Sequence, residues 1–176
     1  MATKTIFLDR DGVINHDMHY LFKINEFKFF DGIFEACQYF EELGYKIIIV
    51  TNQSGIARGY YNESDYLKIT RWMVRQFKNN DVNILDIFHC PHGPNSKCIC
   101  RKPKPGMLNQ AIRKYNVDLR NSWMIGDKET DMQAAMAAGI ENNKILLKSS
   151  SKIDSEDSIA NHYIDSIKNI KEIIKH

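Results

Sequence analysis

The sequence predicts an α/β fold: a mostly parallel sheet, doubly wound, with helices on both faces. Two observations carry that expectation. Short apolar runs alternate with helix-period segments from Thr5 to about Leu147, the pattern of repeated strand–helix units. The run Tyr45 to Val50 is also apolar almost without interruption, as a strand covered on both faces must be. With 176 residues, 43% of them apolar and 26% charged, the chain suits one folded domain over residues 1–176 and excludes global disorder.

The elements follow in order. Thr5 to Leu8 is a strand. Ile33, Ala36, Cys37, Phe40 and Leu43 trace one face of a helix, which Gly44 ends, and Tyr45 to Val50 is the second strand. Asn62-Glu63-Ser64-Asp65 starts a helix reaching about Asn79. Ile84 to His89 is the third strand. The segment Cys90 to Gly106 holds all four prolines of the chain and reads as loop. A helix from Pro105 or Gly106 runs to about Lys114, Ser122 to Ile125 is the fourth strand, Asp131 to Ala138 is a short helix capped by Gly139, and Lys144 to Leu147 is a fifth strand. Residues 148–158 form a polar loop. Ile167, Ile170, Ile173 and Ile174 share a face that predicts a terminal helix docked on the sheet, with a membrane-surface helix the alternative.

Twenty-four basic against 22 acidic residues leave a net charge of +2, too balanced for a dedicated nucleic-acid binder. The longest aliphatic run, Ile47 to Val50, is far short of a membrane span, and no signal-peptide pattern opens the chain. A cytoplasmic protein with no membrane or nucleic-acid partner, acting as a monomer, is the expectation.

In open α/β sheets ligands collect outside the carboxyl ends of the strands. The first strand ends in Asp9-Arg10-Asp11-Gly12 and the second in Thr51-Asn52-Gln53-Ser54-Gly55. The loop after the third leads to Arg101-Lys102-Pro103-Lys104-Pro105, and the fourth ends in Gly126-Asp127-Lys128-Glu129-Thr130-Asp131. Each cluster alone has a bland reading as a turn or helix cap. Together they supply what phosphoryl transfer requires. A carboxylate attacks phosphorus to form an acyl-phosphate, dividing one hard step into two easier ones. Asp9 is the candidate nucleophile, and a cation must separate it from an anionic substrate. Mg²⁺, a hard oxygen-seeking ion, fits ligands Asp9 and Asp127 with the backbone carbonyl of Asp11. The Asp11 side chain is the candidate acid and base. Thr51 offers a hydroxyl and Lys102 a charge to the transferring group, with Pro103 and Pro105 stiffening the backbone beyond Lys102. Asp131 orients Lys102 or a metal-bound water, or else simply caps its helix.

Cys90, His92, Cys98 and Cys100 crowd into eleven residues, a Cys₃His set of structural zinc composition. Bound Zn²⁺ would hold the loop so that Arg101 and Lys102 point inward. Arg101 brings a guanidinium, which recognises phosphate bidentately. His89 reads as a strand-end residue. His16, His162 and His176 find no role.

FLDRDGVIN, TNQSGIARG, CPHGPNSKCICRKPKPG and MIGDKETD resemble the four signature regions of the haloacid-dehalogenase superfamily. They most resemble its small, nearly capless branch of heptose-bisphosphate and histidinol-phosphate phosphatases. The resemblance covers residues 5 to about 140. It implies a doubly wound parallel sheet, the same nucleophile, acid/base, Thr and Lys at Asp9, Asp11, Thr51 and Lys102, and the structural zinc. It further implies substrate contacts from Asp17, Met18, His19 and Tyr20, from Thr51 to Ser54, and from Arg101, Lys102 and Lys128. Ser54 and Arg58 suit sugar hydroxyls and a second phosphate, so TNQSGIARG favours a phosphorylated sugar, a heptose bisphosphate, in heptose metabolism feeding a lipopolysaccharide, capsule or other glycan. The short cysteine loop keeps a histidinol-phosphate substrate open. A receiver domain, which also pairs a phosphorylatable Asp with Thr, Lys and Mg²⁺, is the non-enzyme alternative. It fits less well, because its acceptor lies on a middle strand.

Overall fold

The structure, a computed structural model, describes residues 2–148 and 157–175. Most of the polar loop predicted at 148–158 therefore lies outside the described residues, as does His176. The elements are β1 (Thr5–Leu8), α1 (Ile33–Glu42), β2 (Lys46–Asn52), α2 (Glu63–Asn79), β3 (Ile84–Cys90), α3 (Gly106–Tyr115), β4 (Trp123–Gly126), α4 (Glu129–Ala137), β5 (Lys144–Leu147) and β6 (His162–Ile164). Short 3-10 helices span Ile24–Glu26 and Ile167–Glu172.

Among the described residues the sheet has six strands in the order β3-β2-β1-β4-β5-β6, every neighbouring pair parallel. Successive side chains of a strand face opposite ways, which sorts the core into two layers. Ile6, Leu8, Ile47, Ile49 and Ile125 face α1 and α2 through Ile33, Phe40, Met73 and Phe77. Phe7, Ile48, Val50 and Met124 face α3 and α4 through Leu108, Ala111, Met132 and Ala135. Both faces are covered, which accounts for strands that read as unbroken apolar runs.

The helix ends follow local chemistry. Asn62 and Asp65 exchange side-chain and backbone hydrogen bonds at the start of α2 (2.9 and 3.1 Å), a reciprocal cap that satisfies two otherwise orphaned amides. Gly44 has φ +81° just past α1, a left-handed position that suits glycine.

Two expectations are corrected. The terminal segment is a 3-10 turn over Ile167–Glu172, not an α-helix. Its isoleucines at 167 and 170 stand three apart, the period of that tighter helix, and with Ile174 they are buried against the α1 side of the sheet. β6 was not anticipated, because His162-Tyr163-Ile164 is a short edge strand without an apolar run. Among the described residues no helix is long and apolar enough to cross a membrane.

The chain runs outward from β1 through β2 to β3, then returns to the other side of β1 as β4. The switch point therefore lies at the carboxyl end of β1, between the loops that follow β2 and β4.

Candidate active site

At that switch point Asp9, one residue past β1, is almost wholly buried, and its Oδ1 accepts a hydrogen bond from Lys102 Nζ at 2.8 Å. Lys102 Nζ also lies 2.6 Å from Asp131 Oδ1 and donates to the carbonyl of Val50 at 2.8 Å. All the donors of this buried ammonium are thus directed by the protein. Burial works against its charge, but Asp131 and Asp9 outweigh burial and raise its proton affinity. The backbone of Lys102 is clamped as well: Asn52 donates to its carbonyl and accepts from its N–H (3.2 and 3.1 Å). The Lys102–Pro103 peptide is cis.

Asp131 serves both uses left open by the sequence. One oxygen holds Lys102, and the other accepts the Lys128 backbone N–H at 3.1 Å, capping α4. That cap moves the helix start to Glu129, two residues before the expected position. Gly126 makes room for the approach, since a Cβ there would stand 2.4 Å from that of Asp131.

Asp127 is the least compensated member of the cluster, with Lys128 Nζ 4.0 Å from its Oδ2. Its Oδ1 is buried with no hydrogen-bond partner among the described residues, and burial, then Asp9 and Asp131, push its carboxyl up to about 9. Burial likewise leads in raising Asp9 to about 6, against the pull of Lys102. Carboxylate oxygens of Asp9, Asp127 and Asp131 lie within 4.8 Å of one another. Three converging buried acids with one orphaned oxygen are short of positive charge, and a hard divalent cation fits that donor set. Gly12, at φ +92°, lets the backbone pass this close; a Cβ on it would lie 2.2 Å from Asp127 Oδ2.

Asp11 lines the same cleft but is paired with buried Arg10, whose Nη2 lies 2.9 Å from both its oxygens. Asn15 and Gln53 donate to it at 3.0 and 3.1 Å. Burial alone would raise its proton affinity, but Arg10 and these amides hold the carboxyl below its ordinary value. Gln53 Nε2 also donates to the Thr51 hydroxyl at 2.9 Å. Arg10, Asn15 and Tyr61, which donates to Gln53 Oε1 at 2.5 Å, were not singled out in the sequence. An arginine between two aspartates is a usable signal in retrospect; nothing in the local pattern marks Tyr61.

These groups open on a cleft of about 350 Å³, within the range of small-molecule sites, about 300–1,000 Å³. From the loop after β1 it takes Asp17, His19 and Tyr20; His19 and Tyr20 have φ of +52° and +57°. Asn52, Gln53, Ser54, Arg101, Lys102 and Lys128 line the cleft as well. Lys128 Nζ reaches Asp17 at 3.3 Å, joining the β4 end to that loop. Burial opposes the Lys128 charge, but Asp127, Asp9 and Asp17 raise its proton affinity. Three expected contacts are not brought in: Thr51 is buried outside the lining, its hydroxyl accepting from Gln53. Met18 is 49% exposed and outside the lining, and Arg58 lies on the rim, its guanidinium 5.8 Å over the Tyr20 ring. The amides of Asn52 and Gln53 brace Lys102 and Asp11.

Beyond β3 the sulfurs of Cys90 and Cys100 are 3.1 Å apart, those of Cys90 and Cys98 3.8 Å, and His92 Nδ1 lies 3.4 and 3.3 Å from Cys90 and Cys100. The edges of a tetrahedron around zinc, with bonds near 2.3 Å to sulfur and 2.0–2.1 Å to nitrogen, are about 3.5–3.8 Å, so this donor set fits the ion. Cys98 is ready to ligate as a thiolate. Burial raises its thiol, but the Arg101 N–H, the Ser96 hydroxyl and the neighbouring thiols bring it down to about 6. Arg101 is tied to the same loop through the carbonyl of His92 at 3.3 Å.

A family model described as HAD-hydrolase-like matches residues 99–170. The chain is 47% identical over 99% of its length to D-glycero-alpha-D-manno-heptose-1,7-bisphosphate 7-phosphatase of Campylobacter jejuni, covering 95% of that protein. It is 44% identical over 98% of its length to D-glycero-beta-D-manno-heptose-1,7-bisphosphate 7-phosphatase of Pasteurella multocida, covering 97% of that protein. Among solved structures, D,D-heptose 1,7-bisphosphate phosphatase from B. bronchiseptica, complexed with magnesium and phosphate, superposes with a TM-score of 0.83 at 31% identity, with 97% of each chain covered.

Proposed function

The chain belongs to the haloacid-dehalogenase hydrolases, in the group of the heptose-1,7-bisphosphate 7-phosphatases, and on that premise we propose that it hydrolyses the 7-phosphate of D-glycero-D-manno-heptose 1,7-bisphosphate to leave the 1-phosphate. The observation that carries the chemistry is the buried Asp9–Lys102–Asp131 cluster beside an unpartnered Asp127 oxygen. A receiver-like switch gains nothing from the relatives, which are phosphatases, and neither does a histidinol-phosphate substrate.

Lys102 holds one oxygen of Asp9 and leaves the other for in-line attack on phosphorus. As the Asp9–phosphorus bond forms, the bond to the sugar O7 breaks, and that oxygen takes a proton from Asp11. Water then attacks the acyl-phosphate, gives its proton to Asp11, and phosphate leaves Asp9 regenerated. The free Asp11 is an anion, so the proton it donates has to arrive with the substrate. An anionic phosphate beside it raises its proton affinity. Thr51 and Lys102 face the charge that develops on the transferring group. Magnesium held by Asp9, Asp127 and the carbonyl of Asp11 would supply the charge that lets one anion approach another. Asp131 is the poorer ligand, since Lys102 and the Lys128 N–H already occupy its two oxygens. Zinc on Cys90, His92, Cys98 and Cys100 would fix the loop carrying Arg101, which with Lys128 is suited to the phosphate left on the sugar.

A screen of phosphorylated metabolites at equal concentration, both heptose bisphosphate anomers and histidinol phosphate included, tests the reading through kcat/KM. The heptose bisphosphates should rank first, and Asp9→Asn should abolish turnover with the fold intact. Preference for histidinol phosphate, or steady-state turnover by Asp9→Asn, would refute it.

A further inference from the structure

Tyr61 lies outside every motif used above, yet it is 6% exposed and sits where the loop after β1 meets the loop after β2. Its ring stacks on Phe22 of the loop after β1, with centroids 5.4 Å apart and planes at 21°. It also lies against Gly55, where an added Cβ would stand 2.2 Å from its Cε1. Its hydroxyl donates to Gln53 Oε1 at 2.5 Å. That bond decides which way the Gln53 amide faces. Reversed, the amide would turn its carbonyl oxygen toward the Asp11 carboxylate and lose the N–H that both Asp11 and Thr51 receive. In the observed orientation Gln53 Nε2 serves Asp11 Oδ2 at 3.1 Å and Thr51 Oγ1 at 2.9 Å. Thr51, as acceptor, keeps its own O–H for another partner.

We propose that Tyr61 is a positioning residue for proton transfer: through Gln53 it fixes the Asp11 carboxyl and the Thr51 hydroxyl relative to each other. The inference rests on the phosphatase reading and names a residue that this reading does not require. Burial raises the Tyr61 phenol to about 12, so it stays a donor throughout the working range. The ring fills its place whether or not the hydroxyl is present, so Tyr61→Phe removes the orientation signal and leaves the packing.

The test exploits leaving-group chemistry. A sugar alkoxide needs Asp11's proton to depart, whereas the oxygen of p-nitrophenyl phosphate leaves as a stabilised anion. Tyr61→Phe should lower kcat on the preferred sugar phosphate roughly 10-fold, with KM and kcat on p-nitrophenyl phosphate changed less than about 2-fold; small misplacements of a reacting group carry penalties of that order or more. In a Gln53→Leu background the same substitution should add less than about 2-fold, since the two act as one unit. This second comparison uses the sugar phosphate alone, so it decides the matter even if the aryl ester turns over slowly. Unchanged kcat, equal losses on both esters, or full additivity with Gln53→Leu would overturn the inference while leaving the phosphatase reading intact. Wild-type protein that hydrolyses neither ester would overturn both.

Discussion

The two halves of the site are organised by different means. At the end of β1, Asp9, Lys102 and Asp131 are buried and tied to one another and to a backbone carbonyl, and partly buried Asp11 is held by Arg10 and neighbouring amides. The twelve-residue Cys90–Arg101 loop that precedes Lys102 is more exposed, and the ligand atoms of its four cysteine and histidine side chains cluster with one another. The carboxyl end of a sheet packed on both faces holds the first half; the second is anchored through Cys90 at the end of β3, with Cys98 and Cys100 partly buried against the same core. On the proposed function, the contrast teaches that the reacting groups are built into the core, while the recognition assigned to Arg101 is suspended from a metal-sized clasp. Lys102 joins them, held by Asn52 on one side and following the clasp on the other.

The largest effect should come from breaking that joint. Lys102→Ala should lower kcat on the order of 10²–10³, by comparison with loss of one preorganised donor to a transition-state oxyanion. In magnesium-free buffer it should also cost about 3–5 kcal/mol of stability, because Asp9 and Asp131 lose the partner of a buried pair. Steady-state kinetics and urea titration measure the two. A kinetic loss without a stability loss would mean that the cluster is not held as tightly as the contrast requires.

Removing the clasp should act next, and on the loop first. Structural zinc in peptide sites binds with roughly 10–16 kcal/mol, comparable to the whole stability of a domain, about 5–15 kcal/mol. Protein purified without chelator should carry close to one zinc per chain, and Cys98→Ser should reduce it. Hydrogen exchange should then rise across residues 90–102 before it rises in β1, β2 and β4. Uniform loss of protection would place both halves in one cooperative unit and dissolve the distinction.

Legibility in the sequence divided along a similar line. The strands of the sheet's middle were readable because burial on both faces forces unbroken apolar runs such as Ile47 to Val50. The acids at their ends were readable because strand termini are where such a fold exposes chemistry. The cysteine cluster was readable from composition and spacing alone. What stayed hidden depends on contacts between distant segments. The commitment of the Asn52 amide to the Lys102 backbone spans 50 residues, and nothing in TNQS signals it. Tyr61 acts through one hydroxyl, and a tyrosine before a helix looks like any other. The Arg58 guanidinium stacks on Tyr20 at the rim because two loops meet there, which no local pattern encodes. β6 and the terminal 3-10 turn were missed or misread because three to six residues are too few to display a period.

A smaller effect should distinguish recognition from chemistry. The Arg101 side chain lines the cleft and leans on the His92 carbonyl, so it belongs to the suspended half. Arg101→Ala should raise KM for the heptose bisphosphate roughly 10- to 100-fold, the worth of one or two charge-assisted hydrogen bonds, with kcat and KM for a sugar monophosphate nearly unchanged. Equal losses on both substrates would assign Arg101 to the reacting phosphate and erase the division of labour.

The smallest effect reports on the buried half alone. Asp127 and Asp9 hold protons to about 9 and about 6 in the metal-free fold, against 3.8 for an ordinary aspartate. Between those limits the folded chain binds more protons than the unfolded chain, so unfolding free energy falls as pH rises. Below about pH 4 both states are protonated and the penalty disappears. Magnesium on these carboxylates would replace the protons, so it should oppose the loss most strongly at the alkaline end and release protons when it binds near neutrality. Melting temperatures of zinc-loaded protein from pH 5 to 9, with and without magnesium, measure this. The magnesium-free curve should slope downward and the magnesium-bound curve should be flatter. Two parallel curves would mean that the cation binds elsewhere and that the orphaned Asp127 oxygen is not its ligand.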